Sequence, residues 1–92
     1  MRPALAAMYR AGIRAAQFRA LYGGRTAKGH VALNDVETPS GAMLDHVWIR
    51  DGNWHGPTYR HGQPIEILAT LEPYWHEDGS QDIGLFNVRV VG

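Results

Sequence analysis

Gly41-Ala42-Met43-Leu44-Asp45-His46-Val47-Trp48-Ile49-Arg50 is the stretch on which the fold reading turns. A Pro39-Ser40-Gly41 turn leads into it, and Asp51-Gly52 ends it. Strand side chains point alternately to opposite faces, so the run reads as a strand, with Leu44, His46, Trp48 and Arg50 on one side. Met43, Asp45, Val47 and Ile49 then take the other. An imidazole, an indole and a guanidinium in one row make that face either half of a core or a binding surface.

Working outward, the downstream neighbour is Asp51 to Gln63, rich in glycine and carrying Trp54, His55, Tyr59, Arg60 and His61. Its glycines and Pro57 forbid a regular helix, so it reads as a loop that either tucks over the core or holds a ligand. Pro64 to Trp75 reads as a strand with Ile65, Ile67, Ala69 and Leu71 on the inner side. His76-Glu77-Asp78-Gly79-Ser80 is an acidic turn. Asp82 to Val91 is the closing strand, with Phe86, Val88 and Val90 on one face.

Upstream, Thr38-Pro39-Ser40-Gly41 forms a hairpin loop, and about Lys28 to Glu37 reads as a strand. Ala16 to Tyr22 reads as another, with Phe18, Ala20 and Tyr22 sharing a face before a Gly23-Gly24-Arg25 turn. Residues 3–15 read as an amphipathic helix. Pro3 suits a first helical position, Leu5, Met8, Tyr9 and Ile13 give an apolar side, and Arg10 and Arg14 a basic one.

The 92 residues make one domain, residues 1–92, with 45% hydrophobic residues, enough for a modest core. There is no cysteine, hence no disulfide, thiol nucleophile or thiolate metal site. That fits a reducing cytoplasm, the expected location. No apolar run approaches the length of a membrane span, so no membrane partner is expected. The Arg- and Ala-rich start resembles an organelle transit peptide, but we expect it to belong to the folded domain.

Net charge is zero and hides an asymmetry. Residues 1–30 hold Arg2, Arg10, Arg14, Arg19, Arg25 and Lys28 and no acid; residues 31–92 hold Arg50, Arg60 and Arg89 against all nine acids. Such a split points to a polyanion-facing end, or to two halves that neutralise each other within the fold or across a homodimer.

One helix followed by five strands predicts a mainly β domain, α+β by content. We expect a five-stranded antiparallel barrel over residues 16–91 with the N-terminal α-helix docked on it, because closure removes edge strands. Three segments carry a family resemblance: Val31 to Glu37, the Asp45-His46-Val47-Trp48-Ile49 element, and Gly62-Gln63-Pro64-Ile65-Glu66-Ile67-Leu68 running on to Tyr74. With Asp82 to Arg89 they resemble small OB-fold-like domains of phage and mobile-element proteins. The resemblance spans about Phe18 to Val90. It implies an OB-like barrel; the sequence departs from it in the short Gly-rich link after the third strand and in the added basic helix.

No histidine pair has helical zinc spacing and neither serine lies in a nucleophile elbow; no phosphate-cradling glycine loop precedes a helix. No metal, no cofactor and no enzymatic activity are therefore expected. OB-type barrels bind single strands by stacking bases on aromatic rings while cations follow the phosphates. The expected contact residues are Arg10, Arg14, Arg25, Lys28, His46, Trp48, Arg50, Trp54, Tyr59 and Arg60. The expected partner is single-stranded nucleic acid. The alternative is a protein-interaction module that blocks a nucleic-acid-handling host protein, as an anti-CRISPR protein does, since Trp, Tyr and Arg are also enriched in interface hot spots.

Overall fold

The computed structural model describes residues 3–92; Arg2, part of the basic N-terminal half, lies outside them. The chain runs α1 (Pro3–Arg10), β1 (Ala15–Arg25), β2 (Val31–Glu37), β3 (Met43–Ile49), β4 (Trp54–His55), β5 (Pro64–Trp75) and β6 (Gln81–Val90). The strands form one mixed sheet of order β3-β2-β1-β5-β6-β4. All neighbours are antiparallel except β4, which runs parallel to β6 through Trp54↔Val88 and His55↔Arg89. The mainly β class with an N-terminal helix is as expected. The ladder differs from a closed five-stranded antiparallel barrel: it has six strands, and it is open, with β3 at one end and β4 at the other.

Strand β5 organises the packing. Its inner residues Ile65, Ile67, Ala69 and Leu71 are buried, and it pairs with β1 from Ala15↔Thr70 to Leu21↔Pro64. Phe18, Ala20 and Tyr22 of β1 are buried on the same side. With Val31, Leu33, Val36, Val47, Ile49, Leu85 and Val88 they make one continuous core, and the sheet wraps around it. Leu5 is the helix residue that enters it, fully buried.

Helix α1 stops at Arg10, well short of residue 15. Gly12, at φ 89°, takes the left-handed conformation that ends helices, and the N–H groups of Gly12 and Ile13 return to the carbonyls of Tyr9 and Met8. Arg14 therefore lies beyond the helix and shares no helical face with Arg10. Its guanidinium sits over the Tyr9 ring, 3.7 Å from the centroid, and donates to the Tyr9 carbonyl at 2.7 Å.

Two bulges account for where the simple alternation fails. In β2, Asp35 adopts φ 47°, and the β1–β2 register shifts between Arg19 and Leu21. Leu33 and Val36, three apart, both face the core. Strand β3 follows: Leu44 is buried and, three residues on, so is Val47, while Asp45 and His46 are both exposed. Leu44 thus does not share a face with His46 and Trp48. In β6, Asn87 at φ 50° shifts the register with β5, so Val88 goes inward and Phe86 outward, onto opposite sides. Asp and Asn tolerate this conformation better than most residues. Gly23, Gly24 and Arg25 belong to β1, and Thr26–His30 forms the turn before β2.

The charge asymmetry is resolved partly inside the sheet. Arg19 of β1 pairs with Glu66 of β5 at 3.6 Å, and Arg25 reaches Asp51 at 3.4 Å. At the β5–β6 hairpin tip, Asp78 accepts from the Ser80 hydroxyl (2.6 Å) and backbone N–H. These bonds hold its carboxyl below the ordinary range, so their small contribution is present at neutral pH and lost as acid protonates the group.

Tyr22 is the largest fully buried side chain, ringed by Trp54 and Tyr59 at centroid distances of 5.7 and 5.6 Å. Its hydroxyl has no hydrogen-bond partner among the described residues. An orphaned buried hydroxyl costs about 1–3 kcal/mol. Tyr22→Phe keeps the ring contacts and removes that cost, so urea unfolding is expected to move to higher denaturant by about 1 kcal/mol or more. A lower midpoint would contradict the unpaired hydroxyl.

Candidate functional site

The site grows from the middle of β3. Trp48 stands opposite Ala32 of β2, on the outer side of the sheet, and is 52% exposed. Removing this much indole from water is favourable, so an exposed mid-strand tryptophan is a surface ready to be covered. His46, two residues earlier and on the same face, meets Trp48 edge-to-face with centroids 5.1 Å apart. His46 Nδ1 in turn lies 2.8 Å from Asn34 Oδ1, and Asn34 is its cross-strand neighbour. The Asn34 amide lies over Gly23, where a Cβ would stand 2.8 Å from Asn34 Nδ2 and 2.9 Å from the Ala32 carbonyl. Glycine at 23 is what lets this amide lie flat. A relay from Gly23 through Asn34 and His46 therefore holds the Trp48 ring, and an ordered ring loses less entropy on binding than a free one.

On its other side Trp48 faces β6. The curled sheet brings the unpaired edge of β3 to β6, and a cleft opens there between Trp48, Arg50, Tyr74, Gly84 and Phe86. Tyr74 meets Phe86 at 6.3 Å and His76 at 5.0 Å, both edge-to-face. Gly84 seats Tyr74: a Cβ there would lie 2.9 Å from the ring. The result is a strip of rings, His46, Trp48, Phe86, Tyr74 and His76, with Arg50 beside its middle. His76 is 3.5 Å from the buried carboxylate of Asp82, which with Arg10 lines a hollow against α1. Trp75, 65% exposed, marks the hairpin tip nearby.

The expected contact residues divide. His46, Trp48 and Arg50 come together as read from the sequence, and Arg10 lies at the far end of the strip. Trp54 and Tyr59 do not join them. Trp54 is 5% exposed and packs on Tyr22, with its indole N–H donated to the Pro57 carbonyl at 3.1 Å. It plugs one end of the core because the supposed loop makes the short strand β4. Arg25 is held by Asp51 and by the Gly29 carbonyl and Arg14 by Tyr9, while the exposed Lys28 in the Thr26–His30 turn and the exposed Arg60 before β5 do not line the cleft. Tyr74, Phe86 and His76 were not expected. Their one sequence signal is Asn87, whose left-handed backbone turns Phe86 outward.

The chemistry available is stacking, hydrogen bonding and cation contact. His46 faces the Asn34 amide, and the Ser80 hydroxyl goes to Asp78. Among the described residues no three His, Cys, Asp or Glu side chains gather as a metal site, and no helix is long and apolar enough to cross a membrane. Comparison with protein-family models, curated proteins and solved structures found no match.

Proposed function

We propose that the chain is a non-enzymatic binding module that holds single-stranded nucleic acid across the seam between β3 and β6. In this reading β1, β2, β3, β5 and β6 act as an OB-like barrel whose last side is closed by contact and not by a ladder. The observation that carries it is Trp48, half exposed in mid-strand and fixed in place by His46. Two features support it: the continuation of the ring strip through Phe86 and Tyr74, and the position of Arg50 beside the cleft.

Each base stacked on an aromatic ring contributes roughly 1–3 kcal/mol. Charge contributes less here. Glu72, which accepts from Thr70, and Asp82 lie on β5 and β6 beside the strip and oppose a phosphate chain. With Arg50 and Arg10 as the cations near the strip, about two phosphates are neutralised. The salt slope, d log K/d log[salt], is then expected near −1.4 for a single strand. Titrating the protein with oligo-dT at low salt should quench tryptophan fluorescence with that shallow slope. Absence of quenching at low salt removes the proposal; a slope several times steeper removes the stacking-driven account.

A further inference from the structure

A second surface follows β1, on its outer side over Gln17, Arg19 and Leu21, and shares no residue with the Trp48 strip. Three depressions run end to end there. The first, about 430 Å³, has Leu21, Met43 and Pro64 as apolar wall and Asp35, Glu37 and Glu66 at its rim. The second shares Arg19, Glu37 and Glu66 with it and continues to Pro39. The third joins it at Pro39 and turns past the end of β2 to the helix side, where Met8, Ile13 and Ala16 line it. The apolar anchors therefore stand at the two ends, Met43 (55% exposed) and Ile13 (37% exposed), and the acids stand at one end and the middle.

The charges in this groove do not cancel. Arg19 lies directly across from Glu37 on one side and Glu66 on the other, but its ion pair goes to Glu66, which Gln17 also holds at 2.8 Å. Asp35 and Glu37 have no cation partner among the described residues. The bulge at Asp35 gives the groove both neighbouring carboxylates.

We propose that this groove docks an extended peptide segment of a partner protein, apolar at its ends and lysine- or arginine-bearing in its centre. The charge complementarity sets the centre, the exposed Met43 and Ile13 set the ends, and β1 sets the length. From Ala15 to Leu21 the strand covers roughly 20 Å, matched by an extended segment of about seven residues. A second copy of this chain is a poorer occupant. Its exposed cations Arg10, Lys28 and Arg60 stand on separate elements and not along one extended segment, while Arg14 is folded onto Tyr9 and Arg19 onto Glu66.

The test uses a fluorescein-labelled peptide, Leu-Val-Lys-Arg-Lys-Val-Leu, and its counterpart with three central glutamates. Fluorescence anisotropy at low salt should show saturable binding of the basic peptide and none of the acidic one. The neutralising pair Asp35→Asn with Glu37→Gln should weaken binding by about tenfold or more, the loss expected from two charge contacts together. Asparagine keeps the left-handed backbone at 35, so the variant is expected to fold, and circular dichroism checks it. Trp48→Ala should leave peptide affinity unchanged. Four results would each overturn the proposal. They are no binding of the basic peptide, equal binding of both peptides, unchanged affinity in the neutralised variant, and concentration-dependent self-association through Met43 and Ile13.

Discussion

Replacing Trp54 by alanine is expected to lower stability by about 3–5 kcal/mol, the range for removing a large aromatic from a packed interior. The side chain is almost fully buried, rests on Tyr22, and gives its indole N–H to the Pro57 carbonyl. Truncation opens a cavity at the end of the core and leaves Tyr22 and Gly56 without their neighbour. Gly56 is shaped to the indole: a Cβ there would lie 3.3 Å from Trp54 Cζ2 and 2.9 Å from Val90. Strand β4 has two residues, so its parallel pairing with β6 depends on this anchor. Native domains hold about 5–15 kcal/mol in total, so a loss of this size takes most of the stability of a domain at the low end of that range. Urea denaturation checks this. A loss under 1 kcal/mol would mean that Trp54 does not plug the core.

Trp48→Ala is expected to do the opposite. Half of this side chain already lies in water, so stability should change by about 1 kcal/mol or less. Binding of oligo-dT should fall by about 10- to 100-fold, because one base loses its stacking partner, worth roughly 1–3 kcal/mol. His46 would lose its ring neighbour but keep Asn34. The two tryptophans thus separate fold from function: Trp48→Ala should weaken binding and spare stability, whereas Trp54→Ala acts on the fold and on binding only through it. Fluorescence anisotropy of labelled oligo-dT titrated with Trp48→Ala, with urea unfolding alongside, makes the comparison. Undiminished oligo-dT affinity in Trp48→Ala would place any stacking elsewhere.

The strands were legible where periodicity was strong and the backbone regular. Ile65, Ile67, Ala69 and Leu71 gave β5 its full length and inner face; Phe18, Ala20 and Tyr22 gave β1 its inner face, although the strand runs on through Gly23 and Gly24 to Arg25. The faces of β2, β3 and β6 were less legible because Asp35 and Asn87 take positive φ. One such residue advances the side-chain phase by one, so everything beyond it changes sides. This joined Leu44 wrongly to His46 and hid Phe86. Short β4 was illegible for a different reason: a two-residue strand has no period, and its partner β6 lies some thirty residues downstream. The helix end was misplaced because alanine-rich sequence continued past Gly12, whose local conformation outweighed helix propensity. At the candidate site, His46, Trp48 and Arg50 were readable from one strand. Tyr74 and Phe86 join them only because the sheet curls, a tertiary fact.

The most direct test of the account is two-dimensional NMR of the tryptophan indole N–H resonances during an oligo-dT titration at low salt. Trp48 and Trp54 are close in sequence yet lie one on the outer strip and one inside the core. The account predicts that the Trp48 indole shifts progressively and saturably while the Trp54 indole, bonded to Pro57, stays in place. A titration in which the Trp48 indole does not move, or moves no more than that of Trp54, would contradict it.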